Sequence, residues 1–313
     1  MKPHPNMRET YGLTLVELGR ENRDIVALEA DLGKSTRSVL FQEAFPDRYF
    51  QMGIAEQNMA AAAAGLALVG KIPFIHSFAV FAAGRAFDQL RTTNCIPSLK
   101  IRICGSSYGF SDFGDGKTHQ SVEDIAIMRS LPNMTVLSPM DSIETIKMME
   151  CLIDWPGPVY IRINRSDLPL LFPADEPYSI GKITKLRDGS DVALVAAGIM
   201  VSRSLEAAGI LAERGIFARV LNLSTIKPLN REALIEAVMG VRAIVVSEEH
   251  NIIGGLGGAV LEALRAVPHA PVEIVGIKDC FGTSATNYDE ILARFGLTGS
   301  AIAGAAMDLL RLR

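Results

Sequence analysis

The sequence predicts an α/β protein made of two three-layer units, each with a largely parallel sheet. Short apolar runs alternate with helix-like segments along most of the chain. Near-continuous apolar strands separated by helices are typical of parallel sheets covered on both faces. A proline-rich break divides the pattern, and 313 residues correspond to about two domains.

The first unit is predicted to contain six strands and four helices. The strands are residues 25–32, 49–54, 72–78, 99–106, 135–140 and 159–165, and the helices are 55–69, 84–95, 121–131 and 142–155. Ser121 and Asp141 stand at two helix starts, where such side chains commonly cap the free N–H groups.

A break over residues 168–190 carries Pro169, Pro173 and Pro177 and is predicted to be a linker on the surface. Beyond it the pattern resumes with strands 192–197, 218–223, 243–248 and 272–277 and helices 201–214, 231–239 and 257–266. We therefore expect one domain over residues 1–175 and a second over 190–313.

Composition narrows the classes of function. A net charge of −4 gives no general attraction to nucleic acid or to an anionic membrane. The chain has no apolar run long enough to span a bilayer, and its first residues lack the apolar core of a secretion signal. Its four cysteines form no C-x-x-C pair, so we expect free thiols in a cytoplasmic protein, without a disulfide or zinc site.

Two segments of the first unit combine residues of chemical interest. Glu56 stands at a strand-to-helix junction, where parallel sheets bind ligands, although a carboxylate there also favours the helix dipole. Phe78 and Phe81 follow a strand about 20 residues later, and packing in the core would explain them equally well. His76, beside them, is expected to be a hydrogen-bonded core residue.

Two glycine-containing segments resemble ligand loops without matching them. Gly114-Asp115-Gly116 resembles the start of a magnesium–diphosphate signature, but that signature needs an asparagine about 25–30 residues later, and Asn133 comes too early. We therefore expect no metal ligands in this chain. Residues 254–258 (GGLGG) lack the third glycine and the acidic residue of a dinucleotide site, so a turn with an anion-tolerant helix start is favoured.

The motifs GIAEQNM, SFAVF, GRAFDQLR, GDGKTHQSVEDIAIMRSLPN, INRSDLP, NLSTIKPL and SEEHNIIGGLG, taken in order, resemble the transketolase family. The resemblance extends from near Arg8 to the C-terminus and covers a pyrimidine-binding domain followed by a C-terminal domain. It implies the C-terminal subunit of a split transketolase of the pentose phosphate type, which moves a two-carbon ketol unit from a ketose to an aldose.

The resemblance also implies roles for individual residues. Glu56 matches the carboxylate that contacts N1′ of the aminopyrimidine of thiamine diphosphate, and Phe78 and Phe81 match the aromatic wall against that ring. The other matches are Asp31 near the thiamine site, His119 at the cofactor and substrate hydroxyls, Asp115 at a donor hydroxyl, and Arg8, Ser35 and Arg165 at the sugar phosphate. Ser107 stands where the family commonly has a phosphate-binding histidine.

The family further implies a partner. A subunit with the diphosphate-binding domain would hold most of the Mg²⁺ coordination, and the two chains would form an α2β2 assembly acting on sugar phosphates. Two alternatives remain at this stage: the β-subunit of a 2-oxo acid dehydrogenase E1 component, and a non-catalytic binding or scaffold module of the same fold.

Overall fold

The computed structural model describes residues 3–311 and contains two β-sheets surrounded by helices. The strands are β1 (Ile25–Glu29), β2 (Tyr49–Gln51), β3 (Ile72–Phe78), β4 (Arg102–Ser106), β5 (Thr135–Leu137), β6 (Val159–Ile163), β7 (Thr184–Arg187), β8 (Val192–Ala196), β9 (Ala218–Asn222), β10 (Thr225–Lys227), β11 (Ala243–Asn251) and β12 (Val272–Ile277). The α-helices are α1 (Met7–Glu21), α2 (Gly33–Thr36), α3 (Val39–Ala44), α4 (Glu56–Leu68), α5 (Phe87–Gln89), α6 (Asp124–Ser130), α7 (Ser142–Leu152), α8 (Met200–Ala212), α9 (Arg231–Val238), α10 (Leu256–Leu264), α11 (Tyr288–Arg294) and α12 (Gly299–Arg311).

The first sheet has the order β10-β5-β6-β4-β3-β1-β2 and is parallel except for β10. Every residue of β1, β3, β4 and β6 is buried, as expected of strands covered on both faces. The predicted fold class is confirmed, and each predicted strand of this unit is present, in most cases a few residues shorter than its apolar run. His76 on β3 is a core residue as predicted, bonded to the Tyr11 hydroxyl and the Leu28 carbonyl.

The second sheet has the order β12-β11-β8-β9-β7, with β7 antiparallel to β9 at one edge. β7 lies inside the segment predicted to be a linker, so that prediction was wrong for residues 184–187. It was also wrong for Phe172, which is buried and donates its backbone N–H to the Asp141 carboxylate at 2.7 Å. Proline residues interrupt helices, but they do not prevent short extended segments from packing against the core.

The two units share a sheet. β10 comes from the second half of the chain, yet it pairs with β5 as an edge strand of the first sheet, with Thr225 opposite Leu137. Nearby, the Asn222 side-chain amide donates to the buried Glu144 carboxylate at 2.9 Å. This pairing joins the units by backbone hydrogen bonds as well as by side-chain contacts.

The helices differ from expectation in three ways. α6 begins at Asp124, so Ser121 does not cap it, whereas Asp141 caps α7 as predicted by accepting from the Glu144 N–H. The segment predicted as helix 84–95 is interrupted by π-helical turns over Phe81–Arg85 and Leu90–Cys95. The sequence reasoning also missed several helices, among them α1 and α12, which pack against α7 and α8 respectively.

All four cysteines are free, with Cys95 and Cys104 buried. Among the helices found in residues 3–311, none has the length and apolar character that a membrane crossing requires.

Candidate active site

The residues singled out from the sequence gather at one edge of the first sheet. Apart from Arg8, which lies on α1, these residues stand at or after the carboxyl ends of parallel strands. Asp31 follows β1, Glu56 follows β2, Phe78 and Phe81 end and follow β3, the loop from Ser107 to His119 follows β4, and Arg165 follows β6. Ligands of open parallel sheets bind at this edge, because the loops there converge. Sheet topology therefore brings together residues that are far apart in the chain.

Glu56 is the first residue of α4, and its side chain is only 1% exposed. One carboxylate oxygen, Oε1, accepts from Arg85 Nη1 at 2.8 Å. The other, Oε2, is buried without a hydrogen-bond partner among the residues described. A buried acceptor is normally satisfied, so the free Oε2 marks a position prepared for a donor from outside the chain.

Phe78, Phe81 and His119 form an aromatic cluster in the same site. The two phenylalanine rings are stacked, with centroids 6.2 Å apart and planes at 15°. His119 presents its ring edge-on to both, 5.4 Å from Phe81 and 6.1 Å from Phe78. The rings provide an apolar surface that can hold a flat heterocycle, and the partly exposed His119 adds a polar group that can donate or accept a proton.

Arg85 is a site residue that the sequence reasoning did not identify. It ends the π-helical turn, and its guanidinium lies 4.5 Å from the centre of the Phe81 ring while it donates to Glu56. Single π-helical turns often occur at functional sites, because the extra residue redirects a side chain. Here Arg85 contacts both the carboxylate and the aromatic wall.

A second group of residues forms a basic region over the same edge of the first sheet, and we call the space over this edge the cleft. Arg8 donates from Nη1 to the Ser35 carbonyl at 2.8 Å, and its Nε is buried with no partner in the described part of the chain. Burial, together with the nearby charge of Arg165, lowers the pKa of Arg8 to about 10. Arg8 therefore keeps its charge at neutral pH, in surroundings that favour an added anion.

Arg165 is paired with an acid inside the cleft. Its Nη1 lies 2.7 Å from Oδ2 of Asp112, whose side chain is 2% exposed. Sequence reasoning assigned no role to Asp112. The pair means that one of the two arginines expected to hold an anionic group already has a carboxylate as its neighbour.

The remaining predicted residues occupy different surroundings. Asp31 is exposed and has a left-handed backbone, with its N–H donating to the Gln51 side chain at 2.9 Å. Asp115 is exposed at the start of a short turn. Ser107 is buried, and its hydroxyl has no hydrogen-bond partner within residues 3–311, so the structure does not join it to Arg8 or Arg165.

Glu29 shapes the loop that carries Asp31 and Ser35. It is fully buried at the end of β1 and accepts from the Thr36 hydroxyl at 2.7 Å and from the backbone N–H groups of Ala30 and Leu32. Burial raises the pKa of Glu29 to about 7 in spite of these donors. Its role is to position the loop.

A buried ionic network joins the site loops to the second unit. Asp124 accepts from Arg162 Nε and from the Tyr160 hydroxyl, both at 2.8 Å, and Arg162 Nη2 also donates to the Glu249 carbonyl of the second unit at 3.1 Å. Glu249 of β11 accepts from the Phe110 N–H and the Tyr288 hydroxyl, both at 2.6 Å. Because Phe110 lies on the loop that leads to Asp112 and His119, the second unit helps to position that loop.

The 254–258 glycine segment binds a carboxyl group of the protein itself, and burial raises the pKa of this group to about 7. The buried Glu248 carboxylate accepts from the N–H groups of Leu256 and Gly257, at 2.6 and 3.0 Å, at the start of α10. The prediction of an anion-tolerant helix start is thereby confirmed.

Thiamine diphosphate, the cofactor implied by the family, fits the residues present on its pyrimidine side. Glu56 offers an unpartnered buried oxygen, and the Phe78–Phe81 pair, which Arg85 links to Glu56, offers ring surface. No group of three or more His, Cys, Asp or Glu side chains able to hold a metal ion occurs between residues 3 and 311.

Missed site residues left weak signals in the sequence. Arg85 lies four residues after Phe81, at a helical spacing that places two side chains on one face, so its proximity could have been inferred. Asp112 and Arg162 offered no such signal, because their partners lie on other strands and loops.

The fold defines a class of two-domain α/β proteins in which a pyrimidine-binding domain precedes a smaller C-terminal domain. Two family descriptions match the chain: "Transketolase, pyrimidine binding domain" over residues 4–169 and "Transketolase, C-terminal domain" over residues 181–302. The chain belongs to the transketolase family and contains these two domains.

Its relatives include chains of similar extent. A 6-deoxy-6-sulfo-D-fructose transketolase subunit from Clostridium sp. is 40% identical over 97% of this chain and 94% of its own. One subunit of an apulose-4-phosphate transketolase from Phocaeicola vulgatus is 36% identical, with 97% of each chain covered. A solved structure described as a split gene transketolase, inactive beta4 tetramer, is 45% identical, with a TM-score of 0.88 and 98% of each chain covered.

Proposed function

We propose that this chain is the subunit of a split, thiamine diphosphate-dependent transketolase that supplies the pyrimidine side of the active site. The enzyme transfers a two-carbon ketol unit from an anionic ketose, such as a sugar phosphate, to an aldose. The observation that carries the proposal is the buried Glu56 carboxylate with its unpartnered Oε2, which Arg85 links to the Phe78–Phe81 pair.

The cofactor, when bound, supplies the nucleophilic carbon and the electron sink for cleavage of the ketose. This chain's residues prepare it for that chemistry. Glu56 accepts a hydrogen bond at N1′ of the aminopyrimidine and exchanges a proton there, and Phe78 and Phe81 exclude water, which strengthens that bond. His119 bonds the substrate hydroxyls and moves protons at them.

The other residues hold the substrate. Arg8 and Arg165 provide the positive charge for its anionic end, with Ser35 on the adjoining loop. Ser107 follows β4, and its N–H donates to the Ile163 carbonyl at 2.9 Å, two residues before Arg165. Asp115 bonds a hydroxyl of the donor sugar, and Asp31 lies at the rim near the thiamine site.

The proposal includes a partner. A subunit with the diphosphate-binding domain contributes that part of the cofactor site and the Mg²⁺ ligands, and the two chains form an α2β2 enzyme. Exposed apolar side chains at the two ends of α4 are suited to such an interface: Ile54, Leu68 and Val69 are 75, 71 and 73% exposed. The inactive β4 tetramer described for the 45% identical structure agrees with a chain that self-associates and lacks activity alone.

The test replaces Glu56 by Gln, which keeps the shape of the side chain and removes its ionisable proton. In the reconstituted complex, the change should lower turnover at least about 100-fold, the scale of general acid–base assistance. Glu43→Gln is the matched control, because Glu43 is exposed on α3, in the same domain. Near wild-type turnover of the Glu56→Gln complex would refute the proposal.

A second measurement tests the need for the partner. The isolated chain should bind thiamine diphosphate weakly and turn over no ketose, whereas addition of the N-terminal subunit should restore activity. Robust turnover by the isolated chain would contradict this assignment.

A further inference from the structure

Asp112 is an acid built into the part of the cleft that we assign to the anionic end of the substrate. It lies on the loop after β4, and its Oδ2 is 2.7 Å from Arg165 Nη1. Its side chain is 2% exposed, so water does little to screen the carboxylate from neighbouring charges.

Asp112 is held firmly in place. Its backbone carbonyl accepts from the Gln120 side-chain amide at 3.2 Å, and that amide also donates to the Thr283 carbonyl at 2.9 Å. The preceding Ser111 hydroxyl donates to the Tyr108 carbonyl at 2.7 Å. The backbone that carries the carboxylate is thus held by hydrogen bonds to both units of the chain.

The charges of the cleft can be counted. Arg8 and Arg165 each contribute one positive charge, and the buried Asp112 beside Arg165 contributes one negative charge. The nearby charges of Lys34, Asp115 and Asp167 are exposed, so water screens them and they contribute less. Arg37, the next basic group, is neutralised by its ion pair with Glu9. Burial raises the pKa of Asp112, whereas the Arg165 guanidinium opposes that shift and favours the ionised form.

With Asp112 ionised, these groups carry a net charge of about +1, which complements a single negative charge better than a double one. A sugar phosphate carries a charge of about −1.5 to −2 at neutral pH, and a sulfonate carries a single negative charge. The carboxylate therefore repels a phosphate more strongly than a sulfonate.

We propose that Asp112 is a specificity-determining residue that shifts the site's preference from a phosphate dianion toward a monoanion of the sulfonate type. The inference rests on the proposed function, since it assigns the cleft to the substrate's anionic end. Asp112 acts through its charge and through Arg165.

The test compares two probes, inorganic phosphate and methanesulfonate, titrated into the full chain at pH 8 and constant ionic strength. Asp112→Asn keeps the size of the side chain and removes its charge. The ratio of phosphate to methanesulfonate affinity should rise at least about fivefold, because one further pair of unit charges at about 4 Å has this effect even in bulk water.

Asp175→Asn is the control, because Asp175 is exposed in the segment between the two domains and should leave the ratio unchanged. Asp112→Ser is a second variant in case the Asn variant unfolds. The same ratio is measured as kcat/KM of the reconstituted complex for a matched 6-phospho- and 6-sulfo-ketose, and it should shift in the same direction.

An unchanged ratio in the chain and in the complex would overturn the inference while leaving the transketolase assignment intact, provided that Glu56→Gln abolishes turnover. Conversely, if the Glu56→Gln complex keeps near wild-type turnover, the transketolase assignment fails, but the binding measurement with phosphate and methanesulfonate still tests the role of Asp112. Failure of wild type to bind either probe, combined with equal kcat/KM for the two ketoses, would also overturn the inference.

Discussion

Replacement of Asp124 by Asn tests the buried network that joins the two units. Asp124 accepts three hydrogen bonds, from Arg162 Nε at 2.8 Å, Arg162 Nη2 at 3.0 Å and the Tyr160 hydroxyl at 2.8 Å. The side chains of Arg162 and Asp124 are 3% and 0% exposed. The substitution leaves the guanidinium buried without its counter-charge.

The loss can be estimated from these contacts. A hydrogen bond to a charged group contributes about 1.5–3 kcal/mol, and an asparagine oxygen can replace only part of the set. Breaking one side of a buried ion pair costs about 3–5 kcal/mol. We therefore expect the free energy of unfolding to fall by about 3 kcal/mol or more, a large fraction of the usual total of about 5–15 kcal/mol.

The assay is urea unfolding of the chain, followed by circular dichroism and by the fluorescence of Trp155. This is the chain's single tryptophan, and its indole N–H donates to the Thr135 hydroxyl at 2.9 Å, so it reports on the first unit. Asp24→Asn is the control. Asp24 pairs with Lys71 at 2.9 Å, but the two side chains are 57% and 38% exposed, so the change should cost less than about 1 kcal/mol.

Two results would decide the matter. A combined Asp124→Leu and Arg162→Met variant should be more stable than Asp124→Asn, because it leaves no unpaired charge in the interior. If Asp124→Asn lowers the free energy of unfolding no more than Asp24→Asn does, the buried Asp124–Arg162 pair contributes no more to stability than an exposed pair, and the prediction is wrong.

Three further predictions concern Arg85, His76 and Cys280. Arg85→Met should lower the free energy of unfolding, measured in urea, by about 1 kcal/mol, because it leaves the buried Glu56 carboxylate without its partner. The loss is small because Arg85 itself is half-exposed. Arg91→Met, a change at an exposed arginine nearby, should leave the free energy of unfolding unchanged. Burial lowers the pKa of His76 from 6.5 to about 4, so the folded state binds fewer protons than the unfolded state between these values. The difference in free energy of unfolding between wild type and His76→Gln should therefore be largest above pH 6.5. It should fall by up to about 3 kcal/mol as the pH falls to 4. A difference that does not depend on pH would contradict this. A thiol reagent should modify Cys280 of the isolated chain first, because Cys280 is exposed whereas Cys95 and Cys104 are buried. Mass spectrometry identifies the modified residue. Equal labelling of all four cysteines would show that the packing is looser than described.

Much of the fold could be predicted from local patterns. Strands such as β1, β3 and β6 are apolar throughout because both faces of a parallel sheet are buried, and that property is visible in the sequence. Local patterns were least reliable where structure depends on distant partners. The strand β7 and the buried Phe172 lie in a proline-rich segment whose conformation is set by the edges and grooves it packs against.

By itself, the sequence determined the alternation of strands and helices, the division into two units, and the presence of Glu56, the phenylalanines and His119 after successive strands. Only the tertiary structure decided which charged groups meet. Arg85 with Glu56, Arg165 with Asp112 and Arg162 with Asp124 are pairs between different elements. Such pairings depend on the order of strands in the sheet and on the path of the loops between them, whereas local periodicity reports only whether a segment is extended or helical and which face is buried.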